Sequence, residues 1–139
     1  MLEIQAVIGR IQLKRMTDWS AVRKRHAQSI WAVCSEFSGL YVPTFKCGTC
    51  ERVCSAEGAS CEHAYYKCYV YVDPQKFVEG WSRDRIIEGI NALGVPCYQG
   101  SCSEVYLEKA FDETSWRPQK RLPQAKKLGE TSLMFLVHP

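Results

Sequence analysis

The alternation of apolar and polar side chains is clearest from Ala64 to Val72, where the sequence reads AYYKCYVYV. β-branched and aromatic residues favour strands, and successive side chains of a strand point to opposite faces. The predicted buried face carries Tyr66, Cys68, Val70 and Val72. The predicted amphipathic face carries Tyr65, Lys67, Tyr69 and Tyr71. Pro74 ends the run because proline donates no ladder hydrogen bond, and the pattern predicts a central strand.

Helical periodicity extends from Leu2 to Phe37. A first apolar stripe, at i, i+3, i+4, i+7 spacing, consists of Ile4, Val7, Ile8 and Ile11. A second stripe consists of Trp19, Val22, His26, Ile30, Val33 and Phe37. Thr17 and Asp18 lie between the two stripes, and either can cap a restarted helix. The pattern therefore predicts one long helix with a bend, or two helices end to end.

A second helix is delimited by capping residues. Ser82 is a good N-cap, Gly94 occupies the C-terminal cap position and Pro96 follows. The predicted buried stripe of this helix consists of Ile86, Ile90 and Leu93. Gly89 inside it weakens the helix by about 1 kcal/mol relative to alanine, so we expect close packing at that position.

The remaining elements are shorter. Residues 95–99 are predicted to form a strand, and Ser103 is predicted to cap a helix from Glu104 to Phe111. A last helix, with the stripe Leu122, Ala125 and Leu128, is predicted to end near Gly129. The apolar run 132–137 is predicted to be a strand buried on both faces. This order predicts an α/β (α+β) fold, a small sheet covered by helices.

Length and composition limit the classes of protein that remain. The 139 residues suit a single domain, with helical residues 1–38, a loop at 39–63 and a core at 64–139. Hydrophobic residues make up 46% of the chain, which argues against disorder. No apolar run approaches the roughly 20 residues that a bilayer requires, and the N-terminus lacks a signal-peptide pattern. We expect a cytoplasmic, reducing environment.

The charge is nearly balanced, at +3 from 18 basic and 15 acidic residues. This balance does not require a nucleic acid or an anionic membrane as partner. Residues 23–26, read as RKRH, are either a solvated helix face or a weak phosphate-binding edge.

Four cysteines fall in a loop that is longer than most connections in compact domains. They follow the spacing C-x2-C-x3-C-x6-C and are Cys47, Cys50, Cys54 and Cys61. A C-x2-C turn supplies two ligands of a tetrahedral zinc site, but a second C-x2-C is absent. Structural zinc, incidental thiols, and disulfides or an iron–sulfur cluster all remain open.

Single nucleophiles are the other candidates for chemistry. Cys102 lies in a predicted turn, but no histidine is near it in the sequence to activate it. Lys67 could carry Schiff-base chemistry if it were desolvated beside a cofactor, although its stem can also extend along the surface to water. The sequence alone shows no complete active site.

Four stretches together resemble the sugar aminotransferases of the DegT/DnrJ/StrS type. Residues 2–13 (LEIQAVIGRIQL) resemble the family's E-x-Q-A-A-I-G-x-x-Q-L helix, and residues 63–70 (HAYYKCYV) resemble the start of its small-domain strand. Residues 91–96 (NALGVP) are similar to its helix-to-strand turn. Residues 136–139 (LVHP) are similar to the motif before its final helix.

The resemblance implies a fold-type I enzyme dependent on pyridoxal phosphate (PLP). Such enzymes transfer an amino group, usually from glutamate, to a keto sugar attached to a nucleotide, and they act as homodimers. The family's large domain, with its cofactor lysine, precedes the region matched here. The resemblance therefore implies a small-domain fragment or split gene product, which we expect to be inactive and free of PLP when alone.

The resemblance also implies a substrate-facing loop after the second strand. The hydroxyl groups available there belong to Ser101, Ser103 and Tyr106, and turn or capping roles are the alternative for all three. The main alternative for the whole chain is a stand-alone, zinc-stabilised interaction module.

Overall fold

The computed structural model describes residues 2–43 and 63–139. Its helices and strands, in chain order, are α1 (Glu3–Cys34), β1 (Leu40–Tyr41), β2 (Cys68–Val72), α2 (Arg83–Ala92), β3 (Cys97–Gln99), α3 (Pro123–Thr131) and β4 (Ser132–Phe135). The sheet has the order β1-β2-β4-β3, with β1 antiparallel to β2 and β3 antiparallel to β4. Three helices and a small sheet confirm the predicted α+β class. None of the described helices has both the length and the apolar character that crossing a bilayer requires.

The described residues form two compact units. One contains residues 2–33, 63–68 and 136–139; the other contains residues 34–43 and 69–135. In the second unit, α2 packs on β3 and β4.

Strand β2 lies inside the sheet, as predicted for a central strand, and buries Cys68, Val70 and Val72. The strand begins at Cys68, however, and the predicted extension back to Ala64 is wrong. Tyr65 has φ +47°, which a strand cannot accommodate, and its N–H donates to Nδ1 of His63 at 2.9 Å. This turn reverses the predicted faces before Cys68, so that Tyr65 is buried and Tyr66 is 70% exposed.

Helix α1 runs through Thr17 and Asp18 without a restart. Its buried positions are Ala27 and Cys34, each one residue after a member of the predicted second stripe, and Ile30 and Trp31 are half-buried between them. In the first unit, the Trp31 ring lies 5.6 Å from that of Tyr65. The predicted stripe is wrong at Val33 and Phe37, which are exposed, and at His26, whose exposed ring bonds through Nδ1 to the carbonyl oxygen of His138 at 3.1 Å.

Helix α2 has the predicted boundaries. The Ser82 hydroxyl accepts the Arg85 N–H at 3.2 Å, and Gly94 has φ +81°. Leu93 does not belong to a buried stripe, because it lies past the last turn and is 84% exposed. The close packing expected at Gly89 is also wrong, since a Cβ there would meet no described atom within 4 Å.

Between β3 and α3, two 3-10 turns (Val105–Leu107 and Lys109–Phe111) replace the predicted helix. The extended backbone of Glu108 (ψ 145°) separates them, and the Ser103 hydroxyl donates to the carbonyl oxygen of Ala125 at 2.6 Å instead of capping a helix.

Helix α3 continues two residues past Gly129, and its predicted stripe stays largely exposed at Leu122 and Leu128. The apolar run that follows is buried as predicted at Leu133, Phe135 and Val137, while Met134 is half-buried.

Candidate functional site

The loop of residues 100–122 contains all three hydroxyl groups expected to face a substrate, and it begins at a tightly packed glycine. A Cβ at Gly100 would lie 2.2 Å from the Ser132 Oγ and 2.8 Å from the Ser132 Cβ. Real Cβ atoms do not approach other atoms so closely. Only glycine therefore allows the backbone after β3 to pass this close to Ser132 at the start of β4. Gly100 therefore fixes where the loop starts.

Ser101 is held against the tyrosine face of β2. Its hydroxyl lies 2.8 Å from the Tyr69 hydroxyl, which also accepts the Ser101 N–H at 3.4 Å. The Tyr69 and Tyr71 rings are stacked, with centroids 6.4 Å apart. Desolvation raises the pKa of the Tyr71 phenol, with smaller contributions from Tyr69 and Tyr41. This face of β2 supports the loop, and Ser101 itself is exposed.

The other two hydroxyl groups tie the loop to α3 and to Leu122, the residue that precedes α3. The Ser103 hydroxyl donates to the Ala125 carbonyl, and the Tyr106 hydroxyl donates to Glu104 Oε1 at 2.7 Å while accepting the Leu122 N–H at 2.9 Å. Both Ser103 and Tyr106 are half-buried. Their hydrogen bonds fit the structural role, in turns and caps, that is the alternative to substrate binding. Ser101, by contrast, has an exposed side chain.

An ion pair completes this corner of the loop. The Arg121 guanidinium contacts both carboxylate oxygens of Glu104, at 2.8 and 2.5 Å. The hydrogen bonds from Arg121 are the main reason that the pKa of the Glu104 carboxyl is lowered. Burial, and then the bond to Glu104, raise the pKa of the Tyr106 phenol. The cluster fixes the loop without requiring a ligand.

Asn91 has a structural role that the sequence analysis missed. Its Nδ2 donates to the carbonyl oxygens of Cys97 (2.7 Å) and Ile87 (2.9 Å), and its Oδ1 accepts the Cys97 N–H at 3.1 Å. The amide thus takes both backbone groups of the first residue of β3, as a neighbouring strand would. The position of Asn91 three residues before the Gly94 cap could have indicated this role. Hydrophobic periodicity alone does not reveal hydrogen bonds of side-chain amides.

Replacing Asn91 by alanine is expected to lower the free energy of unfolding by about 1–3 kcal/mol, because two backbone groups of Cys97 lose their partners. Aspartate should cost more, since it places a carboxylate beside two carbonyl oxygens. Urea denaturation followed by circular dichroism measures both. Glu88→Ala, an exposed change on the same helix, is the control and should stay within about 0.5 kcal/mol of the wild type. Equal stability of Asn91→Ala and Glu88→Ala would contradict this role.

The described cysteines do not form a reactive site. Cys34, Cys68 and Cys97 are buried, and desolvation raises the pKa of the Cys97 thiol to about 11. Cys102 is exposed, and its thiol donates to Glu108 Oε1 at 3.7 Å.

The metal site remains a prediction. In the part of the chain that the structure describes, no three His, Cys, Asp or Glu side chains are arranged to hold a metal ion. The predicted zinc ligands lie outside the described residues; they are Cys47, Cys50, Cys54 and Cys61.

A PLP site requires a desolvated lysine, an acidic partner for the pyridine nitrogen and donors for the phosphate. Across residues 2–43 and 63–139 no lysine is buried. Lys67 is half-buried, with its Nζ 6.0 Å from the centroid of the Tyr66 ring. The described residues by themselves do not fit the cofactor, and we derive no chemical step through it.

Solved structures of known proteins resemble this chain in sequence and in fold. An aminotransferase from Psychrobacter cryohalolentis is 55% identical to the chain and superposes with a TM-score of 0.82, over 100% of this chain and 34% of that enzyme. The aminotransferase TlmJ from Streptoalloteichus hindustanus is 21% identical, with a TM-score of 0.68 over 94% of this chain and 30% of TlmJ. The chain therefore spans about a third of the length of these relatives.

Two further solved structures share the fold. DesV from S. venezuelae, solved in complex with a ketimine intermediate, is 19% identical, with a TM-score of 0.70 over 99% of this chain and 31% of DesV. GDP-4-keto-6-deoxy-D-mannose-3-dehydratase from E. coli, solved with bound hydrated PLP, is 17% identical, with a TM-score of 0.66 over 94% of this chain and 30% of that protein.

No protein in the curated set matches the chain. The sequence model of one family matches residues 1–139. The chain belongs to the DegT/DnrJ/EryC1/StrS aminotransferase family.

Proposed function

We propose that the chain is the small-domain part of a PLP-dependent sugar-nucleotide aminotransferase, which moves an amino group from glutamate to a keto sugar. The observation that carries this proposal is the match of all 139 residues, at 55% identity, to about a third of one aminotransferase. DesV was solved with a ketimine intermediate and the E. coli dehydratase with bound PLP, and both support the cofactor class.

In this proposal PLP is held by the part of the enzyme that the chain does not span, and it acts there as the electron sink for amino transfer. The chain contributes a rigid wall to the substrate cleft. Gly100 fixes the start of the loop, the Ser103 hydroxyl ties it to α3, and the bonds Tyr106–Leu122 and Arg121–Glu104 join its two ends.

The test is an absorbance titration of the purified chain with PLP, followed by borohydride reduction and peptide mapping. We expect no saturable spectral change, and reduction should trap PLP only at low, scattered occupancy on surface lysines. Lys67→Arg serves as a control for the half-buried Lys67; Lys24 is half-buried as well. A single lysine trapped stoichiometrically, together with turnover of glutamate, would show that the chain holds the cofactor alone.

The proposed substrate contacts are Ser101, Ser103 and Tyr106, and Ser101 is the strongest of the three because its side chain is exposed. A nuclear magnetic resonance titration with UDP-glucose should shift the amide signals of residues 101–106 and leave those near Leu93 unchanged. Equal shifts in both regions, or none at saturation, would remove these contacts from the proposal.

The partners follow from the same proposal. A second copy of the chain or the large domain of the enzyme would cover the exposed apolar stripe of α1, because large apolar patches on soluble proteins usually mark contact surfaces. We place the enzyme in the cytoplasm, where the buried thiols of Cys34, Cys68 and Cys97 would stay reduced.

The alternative is a stand-alone interaction module stabilised by zinc, and the C-x2-C step at Cys47 and Cys50 favours it. It predicts about one zinc per chain by elemental analysis and unfolding by a chelator. Cys47→Ser should lose the metal, whereas the exposed Cys102→Ser should keep it. A metal-free wild type with four freely titrating thiols in residues 47–61 would exclude zinc.

A further inference from the structure

One mostly buried arginine lies outside the loop of residues 100–122. Arg83 is the first residue of α2, and 14% of its side chain is exposed. Its Nε donates to Asp84 Oδ1 at 2.6 Å. Its Nη1 donates to the carbonyl oxygen of Gly129 at 2.9 Å and approaches that of Ser132 at 3.5 Å. The guanidinium therefore ties the start of α2 to the junction between α3 and β4.

The same junction supports the first residues of the loop. The Ser103 hydroxyl is bonded to α3, and a Cβ at Gly129 would lie 2.7 Å from its Oγ. Gly100 packs so closely on Ser132 that a Cβ at Gly100 would overlap the serine side chain. Gly129 and Ser132 therefore contact the loop and also present their carbonyl groups to Arg83.

A second route leads from Arg83 to the end of β3. The carboxylate oxygen of Asp84 that accepts the Arg83 Nε–H also accepts a hydrogen bond from Gln99 Nε2 at 3.3 Å. Gln99 is the last residue of β3, directly before Gly100. A guanidinium has several donors in fixed directions, so one side chain can hold Asp84 and the junction at the same time. Arg83 is thus connected to the residue before the loop and to the surface that supports it.

We propose that Arg83 is a positioning residue for the candidate substrate site: it fixes residues 100–103, and with them Ser101, without contacting the substrate itself. The inference rests on the proposed function, because Ser101 is a proposed substrate contact. Its physical basis is that a binding side chain must be held in place by its neighbours, since a displacement of about 1 Å can cost about a hundredfold in rate.

The alternative is a role for Arg83 in stability alone. Arginine can bond the last carbonyl groups of a helix, and Arg83 does this for α3 at Gly129. Thr131 offers a matched control, because its hydroxyl donates to the Lys127 carbonyl oxygen at 2.7 Å near the same end of α3. Loss of either donor should destabilise α3, but loss of Arg83 should also release residues 100–103.

The first experiment compares nuclear magnetic resonance spectra of the purified chain without ligand. Arg83→Met should move the amide signals of residues 100–103, whereas Thr131→Val should move those of α3 and leave the signals of Ser101 and Ser103 in place. Asp84→Ala, at an exposed residue, should move the loop signals as well, and Glu88→Ala on the same helix should not.

Equal spectra of Arg83→Met and Thr131→Val over residues 100–103 would overturn the proposal. If Arg83→Met does not fold, Asp84→Ala decides the question, because it removes the carboxylate that joins Arg83 to Gln99. Loop signals of Asp84→Ala that match those of Glu88→Ala would then overturn it.

The second experiment titrates the same variants with UDP-glucose. Arg83→Met should raise the Kd about tenfold, while Thr131→Val should stay within about twofold of the wild type. Equal affinities of these two variants would limit Arg83 to a role in stability and refute the proposal. A wild type that does not bind UDP-glucose would instead remove Ser101 from the proposed substrate contacts, and the spectra without ligand would still decide whether Arg83 fixes the loop.

Discussion

Replacing Leu133 by alanine is expected to lower the free energy of unfolding by about 2–5 kcal/mol. The side chain is fully buried in β4, which lies inside the sheet between β2 and β3. Truncation removes apolar area and leaves a cavity that the neighbouring strands can fill only in part. A loss of this size is a large fraction of the stability of a small domain.

Urea denaturation followed by far-UV circular dichroism measures this loss. Leu93→Ala is the matched control, since it removes the same atoms from a side chain that is 84% exposed, and it should change stability by less than about 0.5 kcal/mol. If the two leucines proved equally costly, the assignment of the core to β4 would be wrong.

Replacing Gly100 by alanine is expected to cost about 1–3 kcal/mol and to displace the start of the candidate loop. The added methyl group would overlap the Oγ and Cβ of Ser132, and it would also lie 3.3 Å from the Tyr69 ring. Because Ser132 opens β4, it cannot withdraw without disturbing the strand.

Gly89→Ala is the matched control for this substitution. It lies inside α2, where no described atom would meet the new Cβ, so it should raise stability by about 0.5–1 kcal/mol. Denaturation midpoints of the two variants should therefore move in opposite directions. A stabilising effect of Gly100→Ala would mean that the loop leaves β3 by another path.

Features fixed by neighbouring residues could be predicted from the sequence. Ser82 and Gly94 delimit α2 as predicted, because a side-chain cap and a positive φ are local properties. The alternation from Cys68 to Val72 also predicts the faces of β2. Tyr65 was misassigned because the acceptor that turns its backbone is the His63 ring, a contact that no periodic pattern reports.

Features that depend on distant contacts could not be predicted. The segment from Glu104 to Phe111 has helical spacing, but it forms two 3-10 turns, next to the bonds from Ser103 to α3 and from Leu122 to Tyr106. The buried line of α1 through Ala27 and Cys34 was missed because small residues carry little weight in a hydrophobic pattern.

The candidate site came from the resemblance rather than from periodicity. Which of the hydroxyl groups of Ser101, Ser103 and Tyr106 stays exposed depends on hydrogen bonds across 16 to 32 residues of sequence. Asn91 was missed for a related reason, since its partner strand lies beyond the helix cap.

We propose that this chain is equivalent to about a third of a sugar aminotransferase. The most direct measurement replaces the matching segment of the Psychrobacter cryohalolentis enzyme with residues 1–139 and assays glutamate-dependent amino transfer in the presence of PLP. We expect a folded chimera that transfers the amino group, whereas the chain alone should not. A chimera that folds but shows no glutamate-dependent change in its cofactor spectrum would contradict it.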